Sequence, residues 1–379
     1  MAMKGGFCMT SRERMLRALR GEATDRVPIT TYDLPGYNPF AYCNQEPSYR
    51  GLMDMIRERA DCLCMWSAKQ NAKAPLSAAD VGILSETARA SDGLITTDTL
   101  RIEQRTLSRK HMVRDGVHTV WRREYWCKDM DDVDAILSLP YEPLSYDFSE
   151  YQPMRDALAD HGIVMQSFGD SNYATMTLMN FSDSLEWVMC EPDHYEQALN
   201  IMHERNMRNL DVMLSGPIAD IYRITGPEYL TPPYLPPHLF ERFALPTLRD
   251  IVQRIHKAGA RVDIHSHGCV GKTAAFIAQS GADAMDPCEP PPDGDITLSD
   301  LKRLVGDKIC LIGNLEARIL EQGTAKEVRE ATRTAMLEGK QNGRFIMGTS
   351  GGPIESQLSD GVEDRYRAYL ETALEYADY

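Results

Sequence analysis

From residue 150 onward the chain alternates two kinds of segment with little else between them. Six short apolar, β-branched runs have the length and composition of buried strands: GIVMQSF (162–168), IADIYRI (218–224), RVDIHSH (261–267), ADAMD (282–286), ICLIGN (309–314) and RFIMGTS (344–350). Helix-length stretches lie between them. The one over 193–213 is followed by Gly216–Pro217, 238–258 stops at Gly259, another runs from about 271 to Gly281, and another runs from Ser299 to Gly306. The last opens on a capping box of Thr324 and Glu327 and stops at Gly339. Upstream, 27–33 and 61–66 add two strand candidates, and TSRERMLRALRG (10–21) reads as an opening helix with Thr10 and Glu13 at its start. Eight strands alternating with helices predict an α/β fold, a (β/α)8 TIM barrel over residues 1–379 as a single domain; an open doubly wound sheet is the competitor.

Residues 95–126 break the rhythm. They alternate apolar and polar side chains around an Asp115–Gly116 turn, which predicts an antiparallel β-ribbon inserted into the barrel.

Composition removes several function classes. A net charge of −15 with no basic stripe argues against nucleic acid and suits small molecules or a protein partner. No apolar run reaches the ~18–20 residues of a membrane span, and the start lacks a signal-peptide core, so a cytoplasmic protein is expected. The nine cysteines show no disulfide spacing and read as reduced thiols. There is no G-x-G-x-x-G or P-loop, so nicotinamide and nucleoside triphosphate chemistry have no support. The CLC at 62–64 reads as core, and GTSGGP (348–353) resembles a backbone anion nest.

In a barrel the chemistry sits at the carboxyl ends of the strands. Those positions hold Asp33, Trp66, Asp170, Tyr222, Arg223, Glu228, His265, His267, Asp286, Cys288, Glu289, Asn314, Glu316 and Ser350. His265 and His267 stand out, because residues i and i+2 of a strand face the same way and can converge on one ion. Asp263 shares their parity, whereas Val262 and Ile264 have the opposite one. A third ligand can come from Glu289 or Cys288 on the next strand end, or from Glu228 on the preceding one. Glu289 is the preferred choice, with Cys288 a buried thiol. Glu228 and Tyr222 are the catalytic candidates. Arg223, Asp33, Trp66, Asp170, Asn314 and Ser350 are the substrate-binding candidates.

RERMLRALRGEATDRVPI, the H-x-H-G strand end, GADAMD, IGNLEARILEQGTAKEVREATRTAMLEG and FIMGTSGGPIES together resemble the uroporphyrinogen decarboxylase superfamily, from about residue 10 onward. That resemblance implies the same barrel. The arginine-rich loop of the porphyrinogen decarboxylases is absent, since the corresponding TTYDLPGYNPF holds no arginine. The other large branch comprises corrinoid-dependent methyltransferases, whose coenzyme M members bind zinc through a His-x-Cys pair and a later Cys. Here His265 matches the first ligand, His267 stands where the first Cys would be, and Ser350 or a neighbour where the second would be. A site of two imidazoles and a carboxylate keeps more positive charge than a thiolate site and is the better Lewis acid toward oxygen. The resemblance therefore implies a zinc-dependent methyltransferase that demethylates a small methoxy compound, or a methylamine, and passes the methyl group to a partner corrinoid (cobalamin-type) protein. A metal-assisted decarboxylase or lyase acting on a small carboxylate held by Arg223 is the alternative, as is a non-catalytic corrinoid- or tetrapyrrole-binding protein. Family members include monomers and dimers, which leaves a homodimer open.

Overall fold

The computed structural model describes residues 9–117 and 119–379; Cys8 and His118, the latter inside the expected ribbon, lie outside them. The other eight cysteines form no disulfide. In chain order the strands are β1 (Cys62–Trp66), β2 (Lys69–Gln70), β3 (Leu84–Ala90), β4 (Gly93–Ile102), β5 (Arg105–Arg114), β6 (Val120–Glu124), β7 (Tyr146–Asp147), β8 (Gly162–Gly169), β9 (Ile221–Thr225), β10 (Arg261–His265), β11 (Ala284–Asp286), β12 (Cys310–Leu315) and β13 (Phe345–Thr349).

Seven of them form one parallel sheet in the order β1-β8-β9-β10-β11-β12-β13. Its two edges meet the same short segment. Met347 N donates to Pro28 O at 2.9 Å and Thr30 N to Met347 O at 2.8 Å, while Asp61 N donates to Ile29 O at 2.6 Å. The eighth strand expected over 27–33 is thus reduced to a bridge at Ile29. Three local causes shorten it. Pro28 has no N–H to give the ladder. The Ile29 N–H is taken at 2.9 Å by the Asp61 carboxylate, and Asp33 turns the chain with φ of 53°.

Side-chain parity divides the sheet into two layers. Leu63, Met65, Ile163, Met165, Ile221, Ala284, Cys310, Ile312 and Ile346 fill the barrel interior together with Met15, Ala18 and Leu19 of the opening helix Ser11–Arg20. Cys62, Cys64, Tyr222, Val262, Ile264 and Met285 pack outward under the helices. The opening helix closes the end opposite the strand carboxyl termini, where Arg12 N donates to Asp160 O just ahead of β8. Helices Pro192–Leu214, Leu245–Lys257, Ala274–Gln279, Leu298–Val305 and Ala325–Gly339 follow the strands as the sequence predicts, and both arms of the Thr324/Glu327 capping box are made.

The insertion is larger than the expected ribbon. It is a four-stranded antiparallel sheet in the order β3-β4-β5-β6. β3 has almost every side chain exposed, so LSETARA carries no alternating apolar signal to betray it. The Asp115–Gly116 turn falls between β5 and β6 as predicted. That turn reaches the loop after β13: Ser356 N donates to Gly116 O at 2.8 Å, and Val117 bridges Glu355. The insertion therefore arches from the β1 side of the barrel mouth to the β13 side.

Candidate active site

β10 ends on His265, and its register with β11 sets His265 beside Asp286. His265 Nδ1 lies 2.8 Å from Asp286 Oδ1. The strand stops two residues earlier than the sequence suggests, because Ser266 N turns to Asp286 O and Gly268 adopts φ of 77°. His267 is thus delivered by a loop and not by strand parity. Its ring nevertheless meets that of His265 edge-on, with centroids 4.4 Å apart. His267 Nδ1 lies 3.0 Å from Glu289 Oε1, and the other Glu289 oxygen accepts from Gly268 N at 2.8 Å. The expected third ligand accordingly stands behind His267 as its hydrogen-bond partner. Cys288 is buried, donates to Met285 O, and is pushed well above the usual thiol range by burial. Among the described residues no three His, Cys, Asp or Glu side chains converge on one point.

The charges beneath this pair decide its protonation. Arg223, buried on β9, donates from Nη2 to the Tyr32 hydroxyl at 2.6 Å and stacks on that ring at 4.9 Å. Its Nε is 3.6 Å from Asp286 Oδ2 and has no hydrogen-bond partner. Burial opposes ionisation of Asp286, but His265 and Arg223 outweigh it and hold that carboxyl well below its ordinary range. Asp263, paired in register with Arg223, has both oxygens buried without a partner. Burial and the neighbouring Asp286 charge raise it well above its ordinary value. Burial and Arg223 lower His265, leaving it neutral near pH 7. A neutral His265 facing an ionised Asp286 carries its proton on Nδ1 and a lone pair on Nε2. Burial would lower His267 as well, but its bond to Glu289 prevails and raises it.

Two cavities open at the mouth. The larger, about 840 Å³, lies under the insertion sheet, with Arg122, Trp126, Gln166, Asp170 and Tyr173 among its walls. The smaller, about 420 Å³, lies beyond β10–β13 and takes in Tyr32, Asp33, His267, Glu289, Glu316 and Ser350. The sequence candidates divide accordingly. Asp33 and Ser350 line the smaller cavity, where Ser350 Oγ also accepts from Ala317 N at 3.0 Å. Arg223 and the buried Asn314 have interior parity. Glu228 sits in the turn Pro227–Leu230 and accepts from Gly226 N at 3.1 Å. Tyr222 and Trp66 do not join them. Both have the parity opposite to the interior and pack in the outer core, Trp66 against Phe148 and Tyr151. Tyr32, Asp293 and Arg318 escaped the sequence reading, because only the shortening of the first strand and a loop crossing bring them to the mouth.

Asp170 ends β8, caps the helix Ser171–Met176 and is fully buried. Gly226, with φ of 120°, lets the next loop approach closely: a Cβ there would fall 2.2 Å from Tyr173 Cβ. Burial, reinforced by Glu228, pushes the Asp170 carboxyl up to about 7. A folded-state value above the unfolded ~3.9 means that the contribution of Asp170 to stability is greatest in acid and falls as pH rises from about 4 to about 7. Asp170→Asn keeps a cap acceptor and removes the ionisation cost. We expect it to raise Tm by a few degrees at pH 8 and leave it unchanged at pH 4, as read by calorimetric melts at both values.

No curated protein sequence matches the chain significantly. Among solved structures, a methyltransferase from Methanosarcina mazei superposes with a TM-score of 0.60 at 16% identity, covering 97% of this chain and 99% of that one. A xylose isomerase-like TIM barrel protein from Mycobacterium smegmatis overlaps more weakly, with a TM-score of 0.30 at 15% identity over 64% of this chain and 81% of its own. D-psicose 3-epimerase gives a TM-score of 0.34 at 12% identity, over 68% and 93% respectively. Among the described residues no helix is long and apolar enough to cross a membrane. The family model described as uroporphyrinogen decarboxylase matches residues 128–355, more than half of the chain, from just after β6 to the loop that receives the insertion. This barrel, with its histidine pair at the mouth, belongs to the uroporphyrinogen decarboxylase family.

Proposed function

We propose that the chain is a methyltransferase that removes a methyl group from a small methoxy or N-methyl compound and passes it to a corrinoid carried by a separate protein, with zinc held by His265 and His267. The observation that carries this reading is the paired anchoring of the two imidazoles, each with Nδ1 on a carboxylate. Metal-binding histidines characteristically hold their second nitrogen in this way, which fixes the tautomer and aims the lone pair of Nε2. Two imidazoles so prepared fit a borderline ion such as zinc. With Glu289 engaged behind His267, the remaining coordination positions fall to solvent or substrate. Bound zinc supplies a Lewis acid that draws electron density from the atom bearing the methyl group.

The chain's own groups do the rest. Asp286 and Glu289 orient the imidazoles. Arg223 offsets the charge of Asp286 at the floor of the site without displacing it from His265. The arch of β3–β6, tied down at Gly116, covers the larger cavity and limits water at the mouth. The fold shared with the Methanosarcina mazei methyltransferase is compatible with this reading.

The test is spectroscopic. Purified chain is mixed with a reduced candidate corrinoid protein, and the visible spectrum is followed as methoxyaromatics, methanol and methylamines are added. Methylation by at least one donor, absent without the chain, is the expected result; failure of every donor sinks the proposal. A second reading rests on Arg223, a buried guanidinium whose Nε lacks a partner and suits a substrate carboxylate. It makes the chain a metal-assisted decarboxylase, and release of CO2 from small acids without any methyl transfer decides for it.

A further inference from the structure

The larger cavity, of about 840 Å³, lies between the insertion and the outward face of β8, and neither His265 nor His267 lines it. Although the chain carries a net charge of −15, six basic side chains border this cavity against two acidic ones, Glu124 and Asp170. Four of the six are held by carboxylates: Lys69 by Glu150, Lys73 by Asp80, Arg109 by Asp98 and Lys110 by Glu124. His111 and Arg122 are left. They stand opposite each other on β5 and β6, where a bulge between Lys110 and His111 breaks the alternation and brings both cross-strand pairs to the cavity. Among the described residues neither of them makes an ion pair, and His111 makes no hydrogen bond. Arg122 donates to the Tyr173 hydroxyl at 3.2 Å and stacks on that ring at 5.5 Å, which leaves the other donors of its fork unused.

The walls select the kind of anion. The floor is apolar, with Phe168, Leu178, Met202 and Met213 buried there and Trp126 lying under Arg109. A few polar groups above an apolar floor, in a volume of this size, make the pattern of a small-molecule site. Inorganic phosphate leaves most of that volume empty, and a polyphosphate needs more free donors than one guanidinium and one imidazole. A planar carboxylate takes two parallel N–H bonds from a single fork. An apolar body attached to it displaces water from the floor.

We propose that this cavity binds a monocarboxylate with an apolar body, its head on Arg122 beside His111 and its body against β8 and the helix Pro192–Leu214. The site is separate from the histidine pair and does not depend on the methyl-transfer reading. Because Arg122 belongs to the insertion and the floor to the barrel, the ligand bridges the two.

Isothermal titration calorimetry on the untagged full chain tests it with 2-naphthoate and octanoate, each against its neutral amide. At least one acid is expected to bind at one site per chain, about tenfold or more tighter than its amide, a difference of about 1.4 kcal/mol. Which acid does so reports whether the body is aromatic or aliphatic. Arg122→Met keeps the apolar stem and loses the fork. Checked for an unchanged melt, it is expected to weaken the acid about tenfold and leave the amide unaffected. Ala174→Leu, whose added carbons enter the cavity from the helix Ser171–Met176, is expected to weaken acid and amide alike. Equal binding of acid and amide, no binding of either acid, or indifference of the acid to both variants overturns the proposal. Acetate binding as tightly as the larger acids reduces the cavity to a bare anion site and overturns it as well. So does binding that disappears when metal is chelated, which places the acid at the histidine pair. Acid bound as expected with no donor active in the corrinoid assay keeps this site and rejects the methyltransferase; methyl transfer without acid binding does the reverse.

Discussion

Replacing Asp61 by alanine is expected to destabilise the chain by about 3–5 kcal/mol, the cost of leaving buried charges without their partner. Asp61 is fully buried just ahead of β1 and joins three groups to the barrel seam. Arg14 Nη1 reaches it at 2.5 Å and Arg26 Nη1 at 2.9 Å, while Ile29 N donates to it at 2.9 Å. Its own N–H holds Ile29 O. Alanine leaves the nearly buried guanidinium of Arg14 with Asp25 as its one remaining carboxylate and removes the acceptor of Ile29 N at the point where the eighth strand is only a bridge. Urea denaturation with an unchanged m-value and a reduced midpoint is the expected signature. A midpoint within error of the parent protein eliminates the seam role assigned to Asp61. Asp61→Asn, which retains an acceptor while losing the charge, should fall between the two.

The second large effect is on the metal. Zinc analysis of untagged protein should give about one ion per chain, with His265→Ala and His267→Ala each losing it. Asp286→Asn is the finer probe. It leaves an acceptor near His265 Nδ1 but removes the charge that fixes the imidazole, so zinc affinity and methyl transfer should fall about 10–100-fold with little change in the melt. A metal-free parent protein with full activity defeats the zinc assignment outright. Full zinc content in the Asp286→Asn variant together with normal turnover assigns Asp286 a purely structural part.

The barrel was legible wherever an apolar run and a helix stop signal occurred together. β8 to β13 appear within a few residues of their expected places because the interior and outer layers both demand apolar side chains there. The first strand was overread. Val27, Ile29 and Thr30 have strand composition, but Ile29 spends its N–H on the Asp61 side chain and Val27 N donates to Ala377 O, both distant in sequence, so that only Thr30 N is left to the ladder. β3 was missed for the opposite reason, since its side chains face solvent and pattern reflects burial rather than backbone pairing. At the site, the rings of His265 and His267 lie side by side, but by a loop route rather than by strand parity. What parity could not reveal was which partner each imidazole takes, because Asp286 and Glu289 straddle the strand end at Asp286–Pro287. Trp66 and Tyr222 were misplaced by being counted from strand ends without regard to face. Their own neighbours, Met65 and Arg223, hold the inward parity.

The seam at Ile29 has a bearing on how the molecule is made. Residues 28–30 are among the earliest of the barrel to be synthesised, and Met347, which they pair with, is among the last. During synthesis the growing sheet presents an open edge at each newly completed strand, and the ring cannot shut until β13 has left the ribosome. The arch waits for the same moment, since Gly116 docks on Ser356, in the loop just beyond β13. Barrel closure and roofing of the mouth are therefore a single late event, and a nascent chain halted before residue 345 has neither a complete ring nor a covered site.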